Sequence, residues 1–114
     1  MGQNRNKLID LFIGNMCNAI LHKILEKAID IPEIASKYNK EILNSWNIAK
    51  IYREKINPIN SILHSKDTEE IEKRIIQRVK SELLIRISKG YKNINIEEVE
   101  KFVKEALREM KIIE

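Results

Sequence analysis

An apolar stripe that keeps helical phase for about 25 residues is the feature that most limits how this chain can fold. From Ile31, the positions Ile34/Ala35, Tyr38, Ile42, Ser45/Trp46, Ala49, Tyr52 and Ile56 recur every three or four residues. At about 100° of rotation per residue, all of them fall within about 60° of Ile31. A strand would need strict alternation instead. The stretch Ile31–Tyr38 resembles the first half of a helix-turn-helix, with Ala35 at the small-residue position and residues 43–52 as a recognition helix. A genuine turn between Tyr38 and Ile42 would reset the phase, however, and Asn39 stands where a glycine is wanted. The spacing therefore predicts one helix from Pro32 to Ile56, ended by Asn57-Pro58, since the residue before a proline is pushed out of helical conformation.

Three further signals place the other elements. Asp30-Ile31-Pro32-Glu33, Asp67-Thr68-Glu69-Glu70 and Asn95-Ile96-Glu97-Glu98 each set a short oxygen-bearing side chain three residues before a glutamate. Such a pair caps orphan amides reciprocally at a helix start. The expected helices span about residues 7–29, 32–56, 68–89 and 96–111, with a possible short turn at 59–63. Gly90 suits the left-handed position that closes the third helix. The first helix is apolar over most of its circumference, which marks a helix buried on more than one side. The link at residues 28–30 is too short for anything but an antiparallel hairpin. The expected fold is all-α, an antiparallel four-helix bundle, with residues 1–114 forming one domain.

Composition removes several classes. The chain has 21 basic and 17 acidic residues, for a net charge of +4, which permits an anionic partner without demanding one. Cys17 is the single cysteine, so an internal disulfide and a cysteine-based zinc site are excluded, and a reducing cytoplasmic setting fits. The start of the chain shows no basic region ahead of a cleavage site. Residues 8–29 are apolar enough to test as a membrane span, but Asp10, His22, Lys23, Glu26 and Lys27 interrupt them too often for hydrocarbon. Isoleucine leads the composition, with Lys, Glu and Asn behind it, which points to an AT-rich genome and a thermophile; the many asparagines count against the thermophile.

Candidate site residues fall into three groups. Asn15, Asn18 and His22 form a polar row on the first helix; the row suits an exposed strip, a buried polar register at a helix contact, or, least of all, chemistry at His22. Lys73, Arg74, Arg78 and Lys80 on the third helix, with Lys92 beyond it, could track phosphates. On the helical wheel they flank the apolar stripe on both sides, as long cationic side chains do when they shield a core rim. The acidic pairs Glu69/Glu70 and Glu97/Glu98 sit in first turns, where the helix dipole favours negative charge. No phosphate loop, nucleophile triad or dinucleotide fingerprint is present, and no cofactor or metal is expected.

The functional expectation is a non-catalytic helical interaction module that self-associates as a homodimer or homo-oligomer, or meets another helical protein. Its contact is placed on the first helix at Gly14, Cys17, Leu21 and Leu25, with the Asn15–Asn18–His22 row at or beside the two-fold. Nucleic-acid binding through the third helix is the alternative. An enzyme ranks last, and no membrane partner is expected.

Overall fold

The computed structural model describes residues 5–29, 31–56, 63 and 65–113. Its elements are α1 (Arg5–Ala28), α2 (Pro32–Ile56), α3 (Ser65–Ser88), a 3-10 turn (Ile96–Glu98) and α4 (Val99–Glu109). The architecture is an all-α helical bundle, with no strand among the described residues.

The long helix read from the α2 stripe runs unbroken over the expected bounds. Asp30, the Asn57-Pro58 stop and the turn at 59–62 lie outside the described residues. The cap at Asn95 is present: its Oδ1 accepts from the Glu97 amide at 3.0 Å. The turn that it opens is tight, however, and α-helical winding begins only at Val99. The third helix starts at Ser65, so Asp67 lies inside the first turn rather than at the cap. Two forces hold an acid there. The helix N-terminus favours negative charge, and the Arg5 guanidinium meets the Asp67 carboxylate at 2.7 Å.

α3 ends as its glycine predicts. Gly90 has φ +99°, its amide donates to the Ile87 carbonyl, and the Tyr91 amide donates to the Arg86 carbonyl. That pair of bonds satisfies the last carbonyls of a helix. α4 ends in the same way without a glycine. Lys111 sits at φ 61°, and the Ile112 amide donates to the Leu107 carbonyl at 2.9 Å. A left-handed lysine costs about 1 kcal/mol; burial of Ile112, the residue that the turn swings inward, offsets it.

α1 is the hub. It packs on α2, α3 and α4, whereas α2 lies close to α1 alone among the described helices. Leu8, Phe12, Ile13, Met16, Ile20, Leu21, Ile24 and Leu25 of α1 are buried together with Ile71, Ile75, Val79 and Leu83 of α3 and with Val99, Val103 and Leu107 of α4. By length and composition α1 could also cross a membrane; in this fold its apolar residues are the centre of the core. On the α3 side the numbering rises together on both helices: Arg5 meets Asp67, Asp10 meets Arg74 at 2.9 Å, and Gly14 lies beside Arg78. On the α2 side it runs in opposite senses, since His22 meets Tyr38 while Ala19 and Ile20 share a groove with Ile42 and Trp46.

Having one neighbour leaves α2 thinly covered. Its buried residues are Ser45, Ala49, Arg53 and Ile56, all in the C-terminal half. Upstream, the same stripe surfaces: Ile31 is 51% exposed and Ile34 39%.

Candidate functional site

Arg53 is the residue that composition alone would send to the surface, yet its exposure is 0%. It occupies the apolar arc of α2, between Tyr52 and Ile56. Its Nε donates to the Met110 carbonyl and its Nη2 to the Lys111 carbonyl, both at 2.9 Å. The guanidinium therefore closes the C-terminal end of α4, where orphan carbonyls need donors. Burial pulls its pKa below the ordinary arginine value, though arginine stays charged at any physiological pH. This is a structural role, and it ties α2 to α4 across α1.

The polar row of α1 divides. Asn15 turns back on its own helix, its Nδ2 donating to the Leu11 carbonyl at 2.9 Å. Asn18 is exposed, and with His22 it lines a cleft of about 190 Å³ between α1 and α3, together with Cys17, Arg78, Glu82 and Arg86. His22 is engaged from α2. Its ring stacks on Tyr38 at 5.3 Å between centroids, and Nε2 lies 3.3 Å from the Glu41 carboxylate. With Nε2 turned to that carboxylate, Nδ1 is left buried, with no hydrogen-bond partner among the described residues. Burial holds the His22 pKa below the ordinary value of 6.5; Glu41 opposes the shift and Arg86 adds to it.

The sign of the resulting pH dependence follows. The unfolded chain takes up a proton at His22 near pH 6.5, while the folded chain resists it. The contribution is complete above pH 6.5 and is lost as pH falls through the lower folded value. The urea midpoint is therefore expected to drop between pH 7 and pH 5, and His22→Gln to drop less over the same window. Parallel curves for the two proteins would contradict the assignment.

The other residues expected at an interface on α1 sit as follows. Cys17, Leu21 and Leu25 are 4%, 6% and 1% exposed, covered by the chain's own α2, α3 and α4. Gly14 is half-buried, and a Cβ there would lie 3.8 Å from Arg78 Nη1, which is ordinary contact. Burial raises the Cys17 pKa to about 11, against the fields of Arg78 and Arg74. It is thus a thiol at neutral pH and a poor nucleophile. The apolar circumference that suggested a partner for α1 is met within the chain, and the exposed apolar residues lie on or just before α2 (Ile31, Ile34, Leu43, Ile51) and on or just past α3 (Leu84, Ile85, Ile87, Tyr91).

Beside Leu43 lies a groove of about 270 Å³ where α2 and α4 flank α1 without closing over it. Ile20, Ile42, Leu43, Trp46, Phe102 and Ala106 line it, and Leu43 is 56% exposed. Its rim carries Lys23, Glu26, Glu105 and Glu109. Lys23 and Lys27 lie over the Phe102 ring at 5.7 and 4.7 Å. Sequence reasoning missed this groove because it read the whole α2 stripe as core.

The basic residues of α3 also divide. Arg74 pairs with Asp10, and Lys80 meets Glu100 of α4 at 3.4 Å, on the other flank. Lys73, Arg78 and Lys92 are exposed, and among the described residues Arg78 makes no ion pair. No group of three or more His, Cys, Asp or Glu side chains among the described residues is placed to hold a metal ion. No protein-family model matches this chain, and no curated protein or solved structure is similar to it.

Proposed function

We propose that this chain is a non-catalytic helical interaction module that self-associates, with a second copy seated on the groove between α2 and α4. The observation that carries the reading is an open apolar groove beside the α2 stripe: Ile42, Trp46, Phe102 and Ala106 line it, and Leu43 in its wall is 56% exposed. An open apolar groove with polar residues around it is the kind of surface that marks interaction sites. The rim favours a second copy as the occupant. In a two-fold contact the same patch meets itself, and a patch that carries both Lys23 and the acids Glu105 and Glu109 holds the opposite charges such self-pairing needs. Half-buried Trp46 and exposed Leu43 at the centre, with charges of both signs outside, match the anatomy of protein interfaces.

Light scattering and sedimentation equilibrium test this directly. The expected result is a dimer at tens of micromolar. Leu43→Glu, at an exposed position, should weaken association at least about tenfold while leaving the melting temperature of the single chain unchanged. A strict monomer at that concentration overturns the reading.

Nucleic-acid binding is the second reading. Exposed Lys73, Arg78 and Lys92, with Arg78 in no ion pair among the described residues, support it; the pairing of Arg74 with Asp10 and of Lys80 with Glu100 weighs against it. Affinity that falls steeply with salt is its signature.

A further inference from the structure

The seam between α1 and α3 is built as a series of charge pairs, and one pair is incomplete. Arg5 on α1 is answered by Asp67, and Arg74 on α3 by Asp10. One turn further on, Arg78 faces Gly14, where α1 supplies no carboxylate. Beyond that, Arg86 is answered from its own helix by the Glu82 carboxylate at 3.1 Å and the Glu82 carbonyl at 3.2 Å. Arg78 is therefore the seam cation left without an acid among the described residues. It does not project from a flat surface. It forms one wall of the cleft of about 190 Å³ with Asn18 and His22, and on its other side borders a shallow, open depression with Arg74 and Ser81.

We propose that the α1–α3 cleft binds a small oxyanion, a phosphate or carboxylate group held by Arg78, with Asn18 as a neutral donor from the opposite helix. A guanidinium presents a planar fork that matches two oxygens of such a group. The amide of Asn18 donates and is exposed in the same cleft. Net charge favours an anion: among the lining residues Arg78 and Arg86 outweigh Glu82. Size sets the class of ligand. A cleft of about 190 Å³ falls below the ~300–1,000 Å³ of sites that enclose drug-sized molecules. It is several times the ~30 Å³ share of one water. A free anion or the charged end of a small metabolite fits, whereas an extended polymer would use the surface and leave the cleft aside.

The test is a titration of the full chain followed by NMR of the backbone amides, the arginine Nε–H groups and the asparagine side-chain amides. Sodium phosphate and sodium acetate are added separately against sodium chloride at matched ionic strength. The expected result is saturable shifts at Arg78 and Asn18 with a dissociation constant of roughly 1 mM. Saturation by phosphate alone assigns a phosphate group; saturation by both assigns any oxyanion. Arg78→Gln should weaken binding at least about tenfold, while Lys104→Gln, which removes one exposed charge from α4, should leave it within a factor of two. Absence of saturable shifts through about 50 mM in either anion overturns the proposal, as does binding that survives Arg78→Gln. A short single-stranded oligonucleotide forms the last arm. If it binds far more tightly than phosphate and loses affinity in Lys73→Gln and Lys92→Gln as well, the charge belongs to a nucleic-acid track and the small-ligand site is refuted.

Discussion

Arg53→Met is expected to lower the unfolding free energy by about 3 kcal/mol, read as a shift of the urea midpoint at constant slope. Methionine keeps much of the volume in the apolar arc but donates nothing. The Met110 and Lys111 carbonyls, each now 2.9 Å from a guanidinium nitrogen, would be left without that donor. A polar group buried without its partner costs about 1–3 kcal/mol. Removing the two bonds also releases the strained turn at Lys111, so hydrogen exchange should speed up first at Lys111, Ile112 and the end of α4. Arg53→Lys should recover only part of the loss, since an ammonium is a point donor and cannot span two carbonyls as a fork does. A loss below about 0.5 kcal/mol, the range of ordinary surface substitutions, would mean that Arg53 does not hold α4 in place.

Phe12→Ala should cost about 3–5 kcal/mol, the usual range for emptying a large aromatic site. Phe12 is 0% exposed in a core that α1 shares with α2, α3 and α4. The cavity would lie where the helices converge, so none of them is free to move in and fill it. Stabilities of small domains run from about 5 to 15 kcal/mol, and this single change removes a large part of that. Ile13→Val, one turn position away at 2% exposure, should cost about 0.5–1.5 kcal/mol. If the two variants unfold at the same midpoint, α1 is not the packed centre of the molecule.

The elements written most plainly in the sequence are those set by local chemistry. The α2 stripe and Pro32 gave the start and the unbroken course of that helix, Gly90 the end of α3, and Asn95 the cap before α4. Asp67 misled because an acid serves equally well as a cap or within the first turn. What decides between the two is Arg5, which is distant in the chain. Arg53 was concealed for a similar reason. A charged residue at the edge of an apolar arc is normally rim, and the carbonyls that make it core come from the far end of the chain. The contact expected at Leu21 and Leu25 rested on how much of α1 is apolar. The sequence shows that circumference, but the number of neighbours that cover it is a property of the assembled fold. The open groove followed from the same gap, since periodicity marks a face as apolar without stating whether anything lies against it.

The central position of α1 has a consequence in time as well as in space. Ribosomes deliver the chain in order, at about 5–20 residues per second. α1 comes first among the helices, and Val99, where α4 begins, follows Ala28 by about 70 residues. For several seconds of every round of synthesis, a helix apolar on nearly all sides waits for its last cover. During that interval it presents the same face to chaperones, to membranes and to neighbouring nascent chains. The hairpin with α2 is the first protection available, and of α1's helix contacts it is the most extensive.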